Sequence, residues 1–158
     1  MPTLAFVAQD DLAIVVHGGL PPTDVEWDAY VEFLMSVMSP YWSVPGKLRR
    51  RRVLVVTDGG SPSALQRKKI QEAFPDSNIP TSVVTASQVA RGVVLALSWF
   101  GLKIRAFAPQ KWSDALVFLE VSERKPQITA CLSELGRIVG KVKILSELGS
   151  PSSAPPKA

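Results

Sequence analysis

The chain has 158 residues, 46% of them hydrophobic and 20% charged, which suits one compact core and excludes both global disorder and two ordinary domains. Its net charge of +4 is smaller than that of one local cluster, Lys47 with Arg49, Arg50, Arg51 and Arg52. The remainder therefore lacks the broad basic face that tight non-specific nucleic-acid binding requires, and nucleic acid is not an expected partner. A single cysteine, Cys131, excludes an intramolecular disulfide, and Met1-Pro2-Thr3 lacks the basic start of a signal peptide, so a cytoplasmic location is expected.

Thr3–Ala8 and Leu12–Val16 are β-prone runs separated by the polar turn Gln9-Asp10-Asp11, the pattern of an antiparallel hairpin. Thr23 or Asp24 caps an expected helix over Val25–Met38, with Tyr30, Phe33, Leu34 and Val37 at helical spacing. Pro40–Gly46 reads as a loop carrying Tyr41 and Trp42, and it leads into the arginine run.

The most informative stretch follows, RRRRVLVVTDGGSPSALQRKK at Arg49–Lys69. Val53–Val56 is a buried β-branched strand, Asp58-Gly59-Gly60 a corner, and Ser61-Pro62 a favoured cap and first-turn pair for a helix over Pro62–Phe74. That spacing places Leu65, Ile70, Ala73 and Phe74 toward the sheet and Gln66, Arg67, Lys68 and Glu72 toward solvent. Pro75 stops the helix, Thr81–Thr85 is the next strand, and Ser87 caps a helix over Gln88–Phe100 that ends at Gly101. Ile104–Ala108 is a strand closed by Pro109, Trp112–Val121 a helix, and Gln127–Leu148 one long helix or two broken at Gly136 or Gly140. The domain is expected to span residues 1–148, with Gly149–Ala158, rich in Ser, Pro and Ala, a disordered tail.

A hairpin followed by alternating helices and strands predicts an α/β fold: a mixed sheet with one antiparallel pair, parallel strands joined by crossover helices, and an extra C-terminal helix. Asp58, Ala86 and Ala108 then share the strand edge where ligands of open sheets sit.

The segments TLAFVAQDDLAIVVHG, VLVVTDGGSPSALQRKK and VVTASQVARGVVLALSWFGLKIRAFAP carry a resemblance over roughly residues 3–122. Together they resemble the STAS fold of anti-sigma-factor antagonists and sulfate-transporter tails, and more closely small bacterial STAS-like proteins with a lipid-transfer flavour. The resemblance implies a non-catalytic regulatory module in bacterial signalling. In the antagonist branch a Ser or Thr beside an Asp at a helix start is phosphorylated and switches binding of a kinase partner. Here Asp58 is followed by two glycines, and Ser61 and Ser63 are the candidate phosphorylation sites.

The chemistry-bearing motifs are sparse. His17-Gly18-Gly19 is like an esterase oxyanion loop, but no G-x-S-x-G elbow accompanies it, and a hydrolase using Ser61 or Ser63 would have no evident base. One His and one Cys do not make a zinc site, and no phosphate-binding glycine motif occurs, so no cofactor, metal or enzymatic activity is expected. Val89–Leu102 is nearly apolar yet well short of the roughly 20 residues of a spanning helix. Its apolar surface exceeds one stripe, and three covers suit it. They are the C-terminal helix through Ile128, Leu132, Leu135, Val139 and Val142, a homodimer interface, or an apolar ligand. Arg49, Arg50, Arg51 and Arg52 beside Tyr41-Trp42 form a solvated loop, a partner-docking patch or a contact for an anionic membrane surface. The expected function is a protein-interaction module whose partner, another protein, meets Asp58, Gly59, Gly60, Ser61, Ser63, Arg67 and Lys68. The alternative is a carrier or sensor of a lipid or other apolar small molecule held between the Gln88–Phe100 helix and the sheet.

Overall fold

The computed structural model describes residues 1–38, 51–74, 79–98 and 103–148. The loop at Pro40–Gly46, Arg49, Arg50, Pro75, Gly101 and the tail therefore lie outside the described residues. A five-stranded sheet runs in the order β1 (Leu4–Gln9), β2 (Leu12–His17), β3 (Arg52–Thr57), β4 (Thr81–Thr85), β5 (Ile104–Phe107). The first pair is antiparallel and the rest parallel, as the sequence predicts. Asp10 makes the hairpin turn at φ 54°, a left-handed conformation that Asp tolerates better than most residues.

Three helices connect the parallel strands: α1 (Asp24–Met38), α2 (Ala64–Ala73) and α3 (Gln88–Ser98). Because the strands are neighbours in chain order, crossovers of one hand place these helices on one face of the sheet. The opposite face carries α4 (Trp112–Phe118), α5 (Lys125–Val139) and the short α6 (Ile144–Leu148), with single 3₁₀ turns at Pro109–Lys111 and Ser122–Arg124. Strand alternation sorts the core accordingly. Leu12, Ile14, Val16, Leu54, Val56 and Val84 pack against α4, α5 and α6, whereas Ala13, Val15 and Val53 pack with Trp27, Tyr30 and Leu34 of α1. All six residues of β2 are buried, as expected of a strand covered on both faces. Ser82, also buried, gives its hydroxyl to the Ala115 carbonyl of α4 at 2.9 Å.

Several local expectations are corrected. Helix α4 stops at Phe118, and Glu120 adopts φ 58° just beyond it. The C-terminal helical region is two helices, as one of the expected alternatives had it, and divides at Gly140, whose φ of 98° ends α5. More consequentially, α5 does not cover α3: it lies on β1 and β2, on the far face. Val89, Val93 and Leu95 of α3 are left exposed. Among the described residues no helix is long and apolar enough to cross a membrane.

The described part of the arginine run is turned inward. Arg51 is only 7% exposed and donates to the Asp10 carbonyl at 2.9 Å. Arg52 pairs with Asp11, which also binds Arg124 at 2.8 Å, so the two residues brace the hairpin turn against β3 and the 3₁₀ turn before α5. The guanidinium groups of Arg51 and Arg52 are thus engaged by the chain's own oxygens rather than held out as a free basic patch.

Candidate functional site

Helix α2 is the origin of the site. Its start is fixed by a reciprocal cap in which the Ser63 hydroxyl accepts from the Gln66 N–H at 3.2 Å and the Gln66 side chain accepts from the Ser63 N–H at 2.9 Å. Ser63 rather than Ser61 is thus the N-cap, and the helix opens at Ala64 rather than Pro62. The same Gln66 is buried against α1, donating to the Pro22 carbonyl and to Asp24 at 3.0 Å each, while the indole of Trp27 donates to the Gln66 carbonyl at 2.7 Å. Lys69 adds an exposed ion pair to Asp28. These polar ties anchor α2 to α1 and set its rotation. Leu65, expected inside, is 76% exposed, and the inner stripe is Arg67, Ile70, Gln71 and Phe74, spaced i, i+3, i+4, i+7. Two of these four positions are polar.

A stripe so poor in apolar volume leaves the sheet beneath it unfilled, and the result is a pocket of about 290 Å³. Its floor is Val53, Val55 and Thr57 of β3 with Thr81 and Val83 of β4. Trp27, Tyr30 and Leu34 of α1 form one wall, and Ala90, Val93 and Val94 of α3 the other. Ligand sites commonly span roughly 300–1,000 Å³ with apolar walls and a few placed polar groups, so this pocket lies at the small end of that range.

The polar groups gather at the carboxyl end of β2 and β3. His17, 4% exposed, is the strand partner of Thr57 and lies edge-on to Tyr30, with ring centroids 6.5 Å apart. Its Nδ1 has no hydrogen-bond partner among the described residues. Burial pulls its pKa down to about 4, with the negative charge of Glu26 opposing, so the imidazole is neutral at pH 7. Burial likewise pushes the Tyr30 phenol well above its ordinary value. Ser61 stands at the exposed rim, and Arg67 donates from Nη1 to the Pro62 carbonyl at 2.9 Å.

Sequence reasoning drew seven residues around this corner, and the fold divides them. Asp58 accepts from the backbone N–H groups of Lys143 and Ile144 at 2.6 and 2.8 Å, tying the corner to α6 instead of offering a carboxylate outward or closing a local turn. Gly60 is buried, and its N–H donates to the Gly18 carbonyl at 3.0 Å. A Cβ there would lie 2.3 Å from the Leu20 carbonyl oxygen, so the backbone it admits is the chain's own. Gly59 takes φ 116°, and its N–H binds the Thr57 hydroxyl. Ser63 is occupied as the cap, and Lys68 is exposed beside Glu72. Of the seven, Gly60, Ser61 and Arg67 line the pocket, and of these only Ser61 and Arg67 bring side chains to it.

His17, Trp27, Tyr30 and Val83 escaped the sequence reading as site residues. The available signal was the period-two register that places His17 and Thr57 side by side on the α1 side of the sheet. In comparisons with known proteins, no family model matches the chain, and no curated protein or solved structure matches it significantly.

Proposed function

We propose that this chain is a non-catalytic binding module, acting in the cytoplasm as a carrier or sensor of a small, largely apolar molecule held between α1, α2, α3 and the sheet. One observation carries the reading: the rotation of α2, fixed by the Gln66 ties, that suspends a half-polar helix over an apolar floor. A concave, largely apolar space next to strand ends is the usual character of a ligand site in an α/β sheet. The lipid-transfer flavour of the STAS-like resemblance agrees with it.

Native mass spectrometry tests the reading. The freshly purified chain is expected to carry a bound mass, or, after extraction with organic solvent, to take up octan-1-ol with one-to-one stoichiometry. A chain that is empty as purified and takes up no octan-1-ol at millimolar concentration overturns it.

A second reading, a regulatory STAS-like module that contacts another protein or a second copy of itself, is favoured by Leu65 and Val89. These side chains are 76% and 79% exposed on α2 and α3, two of the three helices bordering the pocket. Pull-down with the wild-type chain and with Leu65→Ser and Val89→Ser should then recover different partner sets, and identical sets would count against it.

A further inference from the structure

Resting on that reading of the pocket, we propose that the ligand is an amphiphile with a single carboxylate, whose head is held by Arg67, Ser61 and His17 at the carboxyl end of β2 and β3 while its tail lies along Val55 and Val83.

The charge of the lining selects the head group. Arg67 and Lys103 are the charged side chains that face the pocket, and no Asp or Glu does so among the described residues. Arg67 is half-buried, and among the described residues its side chain makes one hydrogen bond, to the Pro62 carbonyl, and no ion pair. A partly desolvated guanidinium without a counter-ion is costly, and its planar fork matches a carboxylate in bidentate fashion. A single cation at this end neutralises a monoanion, whereas a phosphate monoester would leave net negative charge against largely apolar walls.

The surroundings of Arg67 fit the same group. Because its Nη1 reaches back to Pro62, the guanidinium stands beside the corner that carries Ser61, next to the strand ends where His17 and Thr57 pair. Ser61 brings a hydroxyl, and His17 brings a buried Nδ1 that lacks a partner. The neutral imidazole has one N–H to give to a carboxylate oxygen without adding a second charge. Lys103, at the opposite end of the pocket beside Ile104, is exposed and already solvated. Between the ends, Val55, Ile70, Val83 and Val94 offer only hydrocarbon. At about 290 Å³ the pocket lies at the small end of the range for ligand sites, which suits a short-chain or single-ring acid.

Isothermal titration calorimetry at pH 7 separates this inference from the reading beneath it. Octanoate, octan-1-ol and octyl phosphate are titrated into the full chain and into Arg67→Gln, Arg67→Lys and Lys103→Gln. Octanoate is expected to bind wild type at least tenfold more tightly than octan-1-ol and more tightly than octyl phosphate. Arg67→Gln should erase the preference over the alcohol, Arg67→Lys should keep part of it, and Lys103→Gln should leave it intact. Equal affinity of wild type for octanoate and octan-1-ol overturns the carboxylate while leaving an apolar pocket. Tighter binding of octyl phosphate overturns the monoanion, and loss of preference in Lys103→Gln in place of Arg67→Gln overturns the assignment to Arg67. Failure of all three probes to bind removes the pocket reading and this inference together.

Discussion

Replacing His17 by Gln should flatten the dependence of stability on pH between 7 and 5. The imidazole is 4% exposed, and burial brings its pKa from 6.5 to about 4 in the folded chain. The unfolded chain therefore binds a proton at this residue below pH 6.5 that the folded chain does not, and stability falls as the pH is lowered from 6.5 toward 4. A shift of one pKa unit corresponds to about 1.4 kcal/mol, so the full effect is about 3 kcal/mol, of which about 2 kcal/mol is lost between pH 7 and 5. Glu26 does not confuse this window. Although burial works against its charge, hydrogen bonds from Thr23 and Thr3 hold its carboxyl down to about 2, so its contribution is lost only below the ordinary carboxylate range near 4.5. Urea unfolding at pH 7, 6 and 5 measures both chains. Equal slopes for wild type and His17→Gln would refute a buried, neutral His17, whatever the variant does to stability at pH 7.

Other substitutions probe the frame around the pocket. Gly60→Ala would put a Cβ 2.3 Å from the Leu20 carbonyl and 2.5 Å from that of Gly18, and should cost about 3 kcal/mol or more by thermal or urea unfolding. Gly19→Ala, which meets nothing within 4 Å, should change stability by less than about 0.5 kcal/mol. Asp58→Ala removes the acceptor for Lys143 and Ile144, and amide hydrogen exchange of Ile144–Leu148 should quicken while β3 stays protected. Across hexan-1-ol, heptan-1-ol and octan-1-ol, affinity should rise about fourfold per methylene, about 0.8 kcal/mol each. A flat series would place the alcohols outside the apolar space.

The order of elements was legible because each strand is a short β-branched run, and each crossover helix begins near a Ser, Thr or Asp and carries apolar side chains at helical intervals. The phase of α2 was not. Ten residues with Leu65 and Ile70 as their only large apolar side chains do not determine which side faces the sheet, and the answer rests on Gln66 reaching Pro22 and Asp24, more than 40 positions away. The roles of Asp58 and Gly60 were hidden for the same reason. Acidic turn chemistry and a glycine pair are visible locally, but the N–H groups that Asp58 binds lie 85 and 86 residues on, and the carbonyls that crowd Gly60 belong to the loop after β2. Of the three covers considered for α3, the C-terminal helix failed because helical periodicity carries no information about which face of the sheet a later helix occupies.

The central claim, an apolar ligand space beneath α2, is tested most directly by methyl spectra of the chain labelled at Ile, Leu and Val, recorded with and without octan-1-ol. Saturable shifts should concentrate on Val55, Ile70, Ile79, Val83 and Ile104, leave Ile128 and Leu132 on the far face unmoved, and vanish when Val83→Phe fills the space. Shifts spread evenly over both faces, or unchanged in Val83→Phe, would contradict it.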